Sequence, residues 1–185
     1  MAKKKTKKAS EAEKKVEKTG DQASSSNIAY EGKVTVKVLR GSKIVRSSTT
    51  HNSGQVRLFY YLCKCLVGTY SQSEAPAYLR MFYGDSISSS EATNTAQPLR
   101  SKRPLSSTNS ATAEFTFLIP TSAINSQQDG KITTLAIYGS DSYTDKSKPL
   151  ATVTLSGSDR IIPSSDPGVN IYVKWVMTVM DSATN

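Results

Sequence analysis

Between Ile171 and Met180 the chain alternates without a break. Ile171, Val173, Trp175, Met177 and Val179 take one side, and Tyr172, Lys174, Val176, Thr178 and Met180 the other. Side chains of a strand point to opposite faces at period two, so this run has one face for a core and one mostly for water. A helix would scatter the same five apolar residues around its axis. Trp175 is the only tryptophan of the chain, and a fold that left it outside would forfeit the largest single apolar contact on offer. The strand must be buried on one face, and the remainder of the chain must supply its β partners.

Partners are present throughout. Val34, Val36 and Val38 alternate with Lys33, Thr35 and Lys37, a half-buried strand with a polar face. Arg40-Gly41-Ser42-Lys43 predicts a turn and Ile44–Thr50 a returning strand. After Pro76, Tyr78–Tyr83 carries apolar residues on both faces, which predicts a central strand ended by Gly84. Phe115, Phe117 and Ile119 face one way before Pro120 closes their strand. Asp129-Gly130 turns into a strand over Ile132–Tyr138. Leu150–Leu155 follows a polar loop, with Val153 and Leu155 inward, and Asp166, Pro167 and Gly168 punctuate before the last strand. Seven to eight strands joined by turns predict an antiparallel β-sandwich or jelly-roll-like domain.

One stretch departs from the alternation. In HNSGQVRLFYYLCKCLVGTY, Val56, Phe59 and Cys63 recur at spacings of three and four, as do Leu58, Leu62 and Leu66. This predicts a helix over about residues 54–67, broadly apolar, with Arg57 and Lys64 off the stripe. Asn52 and Ser53 supply cap-type side chains ahead of it, and Gly68 a left-handed stop behind. The expectation is one buried helix packed on or plugging the β-structure, with Leu62 in the core and His51 in the turn that leads into it.

Charge divides the chain in two. Of a formal +9, residues 1–20 hold eight lysines against three glutamates, a net +5 that leaves +4 for the rest. Residues 1–27 contain almost nothing to bury beyond Val16, so they read as a basic arm and linker ahead of a domain over residues 28–185. Lys3, Lys4, Lys5, Lys7, Lys8, Lys14 and Lys15 are its candidate contacts to a neighbouring protein or to nucleic acid. Residues 85–112 read as a long polar loop. Arg100, Lys102 and Arg103 form a second candidate contact there, between Pro98 and Pro104 and without interleaved aromatics.

Chemistry is harder to find. Cys63 and Cys65 stand two apart on a helix, about 200° around its axis, which opposes both a disulfide and joint metal ligation. A serine nucleophile has only His51 as a base, and no G-x-S-x-G elbow surrounds any serine. Phosphate-cradling glycine loops and paired zinc motifs are missing. Asp141, Asp145, Asp159 and Asp166 fall in turns, where bonds to the backbone account for them. No apolar run reaches the roughly 18 residues of a membrane span, and no apolar core follows the N-terminal lysines as in a secretory leader. The expectations are therefore no enzyme, no catalytic or metal site, no cofactor and no membrane.

The order of the pieces carries a resemblance. A strand hairpin, then HNSGQVRLFYYLCKCLVG and APAYLRMFYG, and later KITTLAIYGS, PLATVTL and IYVKWVMTV resemble small structural proteins of tailed-bacteriophage virions, the accessory pieces of head, collar or tail. The resemblance spans about residues 30–181. It implies a non-enzymatic assembly role in many copies, with other virion proteins and copies of itself as partners, in a particle assembled in the host cytoplasm. A basic arm ahead of a β-sandwich also resembles coat proteins of small icosahedral viruses, whose arms face the genome and are richer in arginine. Here the first 20 residues hold lysine only, diluted by Glu11, Glu13 and Glu17. Two rival expectations stand beside the assembly role. One is a nucleic-acid-binding module acting through the arm. The other is a carbohydrate-binding module with Tyr30, Tyr70, Tyr143 and Tyr172 as a platform.

Overall fold

The computed structural model describes residues 28–52, 56–106, 110–125, 130–163, 166 and 168–181. The lysine arm lies outside these, as do Ser53, Asp129 and Pro167. Nine strands and one α-helix occur among the described residues, so the fold is mainly β. In chain order the strands are β1 (Ile28–Arg40), β2 (Lys43–Asn52), β3 (Pro76–Phe82), β4 (Gln97–Pro98), β5 (Ser101–Ser106), β6 (Ser110–Pro120), β7 (Thr134–Gly139), β8 (Ala151–Thr154) and β9 (Val169–Asp181), with helix α1 (Val56–Leu66) between β2 and β3.

These strands form two antiparallel sheets, ordered β2-β1-β9-β6-β5 and β4-β3-β7-β8. The alternating run at the end of the chain is the middle of the larger sheet. Val34 and Phe115 stand opposite Trp175 on its two sides. Sequence neighbours stay together, as the pairs β1–β2, β3–β4, β5–β6 and β7–β8, and the chain changes sheet between pairs. A single hydrophobic cluster draws on both sheets, with Val36, Phe117 and Trp175 from the larger and Leu79, Ile137 and Val153 from the smaller. Every residue of β7 is buried, because Tyr78, Ile87 and Tyr143 cover Phe82, Ala136 and Tyr138 on its far side. As expected from its two apolar faces, β3 is an interior strand, between β4 and β7.

Three expectations need correction. The long polar loop contains β4 and β5, and Arg103 and Lys102 are strand residues paired with Glu114 and Phe115. Their strand SKRPLS has no aliphatic alternation, and Pro104 is tolerated because β5 is the edge of its sheet. His51 belongs to β2 opposite Lys33, not to a turn at the helix entrance, and its Nδ1 lies 3.0 Å from Glu31 Oε1. The helix is not buried: of its described side chains only Leu58 is fully enclosed, with Leu62 half-buried. Gly68 does stop it. At φ +71° its N–H reaches Cys65, and Thr69 N–H reaches Lys64, which closes a Schellman-type end.

Candidate functional site

Helix α1 is held at both ends by charge. Arg57 donates to Asp141 at 2.6 Å, and Lys64 to Glu74 at 2.6 Å. Glu74 also caps its own turn, accepting from Ser71 N–H while Ser71 Oγ accepts from Ser73 N–H. The hydrogen bond from Lys64 lowers the Glu74 pKa, and the same bond raises that of Lys64. Phe59 meets Tyr30 edge to face at 5.6 Å, and Tyr61 meets Tyr70 in the same way at 6.5 Å.

Beneath the helix the inner face of the larger sheet runs on past the start of β3, leaving an apolar cleft of about 370 Å³. Tyr30, Leu58, Tyr61, Leu62, Phe115 and Met177 are among its walls, with Lys102 and Cys65 as its other ionisable groups. Burial, followed by the hydrogen bond with Cys65, pushes the Tyr61 hydroxyl up to about 12. Deeper in, the Tyr30 hydroxyl and the Trp175 indole N–H meet no hydrogen-bond partner among the described residues. Burial raises the Tyr30 pKa, and the nearby Asn52 amide and Trp175 ring offset part of that rise. These walls can hold apolar matter. Tyr30 and Tyr61 stay protonated at neutral pH, so neither serves as a general base there.

Above the cleft the helix turns an apolar face outward. Tyr60 is 61% exposed, Leu66 84% and Val67 71%, with Phe59, Cys63 and Tyr70 also exposed. The two helical stripes read from the sequence are thus divided, Leu58 and Leu62 going inward and Phe59, Cys63 and Leu66 outward.

The other candidate residues separate likewise. Lys102 points into the cleft beside Phe115, whereas Arg103 turns to the opposite face and pairs with Glu114 at 2.9 Å. Arg100, just before β5, donates its backbone N–H to Thr116. The four tyrosines of the carbohydrate reading form no common platform. Tyr30 is inside the cleft, Tyr70 lies at the helix exit, Tyr143 stacks on Tyr78 at 4.4 Å, and Tyr172 is on the outer face of the larger sheet. Among the described residues no cluster of three or more His, Cys, Asp or Glu could hold a metal ion, and no helix is long and apolar enough to cross a membrane. Among the described residues the ion pair with both partners most enclosed is Arg80–Glu91, and Glu91 takes Lys146 at 2.9 Å on its other oxygen. It ties two loops over the smaller sheet. Compared with protein-family models, with curated proteins and with solved structures, the chain matches none.

Proposed function

We infer that this chain is a non-enzymatic structural protein of a virus particle, most consistent with an accessory head, collar or tail component of a phage, packed in multiple copies. On this reading the two sheets face each other as a β-sandwich, jelly-roll-like in its repeated crossings between sheets. The arm over residues 1–27 adds a second contact to a neighbouring subunit or to the genome. One observation carries the reading: the outward apolar face of α1. Monomeric soluble proteins rarely expose contiguous apolar surface on this scale, and such patches mark association. Burying one large aliphatic side chain contributes about 1.5–3 kcal/mol, so Leu66 and Val67 alone would stabilise a subunit contact substantially. An enzymatic reading has less support, because the cleft under the helix is lined mainly by aliphatic and aromatic groups.

Quantitative mass spectrometry of purified particles tests the proposal directly, with many copies per particle expected. A full chain carrying Leu66→Ser and Val67→Ser should melt like the parent yet fail to enter particles. Absence of the protein from particles, or normal incorporation of this variant, would refute the assembly role.

A further inference from the structure

The register of the larger sheet gathers cations on its outer face that lie far apart in sequence. Lys33 and Lys37 are two pleats apart on β1, about 13 Å along the strand, and Lys174 of β9 pairs with Thr35 between them. Tyr172 stands between Lys37 and Leu118, with Lys37 Nζ 6.0 Å from its ring centroid. Arg100 and Arg103 are close enough to lower the Tyr172 pKa against the larger, raising effects of burial and Glu114. The acids on this face each have a basic side chain beside them. Glu31 faces His51 at 3.0 Å, and Glu114 takes Arg103 at 2.9 Å and Lys174 at 3.7 Å. Among the described residues Lys33, Lys37 and Arg100 are in no ion pair.

Between the cations lie several hydroxyls, together with half-buried Val176 and Leu118. Thr35–Thr49, Thr112–Thr178 and Ser101–Thr116 join their oxygens across strands at 3.0, 3.2 and 2.6 Å. Neither hydrophobic cluster includes a residue of this face. Among the described residues its exposed large apolar side chain is Ile44, opposite Leu39 at the end of the β1–β2 hairpin, so a protein partner would find fewer anchors here than on α1.

We propose that the outer face of the larger sheet binds single-stranded nucleic acid, with Lys33, Lys37 and Arg100 on phosphates and a base stacked on Tyr172. Charge complementarity selects a polyanion, and the aromatic ring amid spaced cations selects one that carries flat bases. In the free protein the ring faces the Lys37 ammonium. A base arriving on the ring shifts that ammonium toward the adjoining phosphate. This surface is separate from α1, so it stands or falls independently of the assembly contact.

Fluorescence anisotropy of a labelled oligo-dT with the full chain, over a salt series, tests this. Lys33→Gln with Lys37→Gln should weaken binding and flatten the log–log salt dependence by about 0.7 for each phosphate no longer neutralised. Tyr172→Ala should weaken binding about tenfold or more while leaving that slope nearly unchanged. Lys174 is left intact, because removing it would strip Glu114 of a partner. Unaltered melting temperatures show that the variants are folded, and Lys33→Arg with Lys37→Arg should restore affinity if the doubly neutralised chain melts early. The proposal is overturned if face variants bind like the parent while Gln at Lys3, Lys4, Lys5, Lys7 and Lys8 abolishes binding. It is also overturned if polyglutamate of equal charge displaces the oligonucleotide as well as unlabelled oligo-dT does.

Discussion

Gly32 shows how one missing side chain is required by its surroundings. It lies on the inner face of β1, opposite Asn52 and Met177. A Cβ built there would stand 1.7 Å from Asn52 Oδ1 and 2.8 Å from the Tyr30 hydroxyl. Neither group is the free end of an exposed chain, so neither moves away cheaply. Gly32→Ala should therefore destabilise the fold by about 1–3 kcal/mol, as overpacking of a filled interior does, and thermal melting measures it. Nothing in the sequence around Gly32 announces this, because Asn52 and Tyr30 reach it only after β1 and β2 have paired. Gly68 is the opposite case. Its left-handed φ serves a helix end written in adjacent residues, and it is legible locally.

At the scale of elements, legibility follows from how much of each strand's periodicity its own residues supply. β1, β6 and β9 carry aliphatic alternation and can be read directly. β5 draws its register from β6 and is made of Ser, Lys, Arg and Pro around a single Leu105, so only pairing reveals it. Helix α1 is apolar nearly all round, a pattern that fits either burial or association. Which of these holds depends on what lies outside the helix, and that is not encoded in its own stretch. The outcome separates two substitutions. Leu58→Ala should cost about 2–5 kcal/mol as a core truncation, whereas Leu62→Ala, half-buried above the cleft, should cost distinctly less. Denaturant titration distinguishes them, and equal costs would mean that the helix packs more tightly than its exposure indicates.

The Lys64–Glu74 pair adds a pH dependence to the same element. The Glu74 pKa is lowered from its ordinary 4.5, so its contribution is full above that value and lost as pH falls through the lowered one. The Lys64 pKa is raised from its ordinary 10.5, so its contribution is present below that value and lost as pH rises through the raised one. The exit of α1 is thus pinned across the neutral range and released by acid. Amide protection factors over residues 64–69 should fall below the carboxylate range while those of β9 hold. Glu74→Gln should show the reduced protection already at neutral pH.

For the molecule as a whole, β9 is the seam. It pairs along its length with β1 and along Asn170–Met180 with β6, and Trp175 at its middle is fully buried. Trp175→Ala should cost about 3–5 kcal/mol. Val176→Pro, between Lys33 and Glu114, should prevent folding altogether, since a proline cannot serve a central ladder. Soluble expression and circular dichroism check both. The outer face gathered around Tyr172 is a product of the same seam. Its cations come from β1, β5, β9 and the segment before β5, and no window of the sequence holds them together.

The position of that seam along the chain has a consequence for biosynthesis. Among the described strands β9 is the last that a ribosome makes, so the β1–β2 and β5–β6 hairpins leave the exit tunnel with nothing between them. Until then Val34, Val36, Phe115 and Phe117 present half a core to the surrounding water, and early closure of β1 against β6 would be a mistake that β9 must later undo. Nascent chains arrested before Val169 should be cut readily by protease and held by chaperones. Those extended far enough to free Asp181 from the tunnel should become resistant in a single step, on the slow timescale set by non-local pairing.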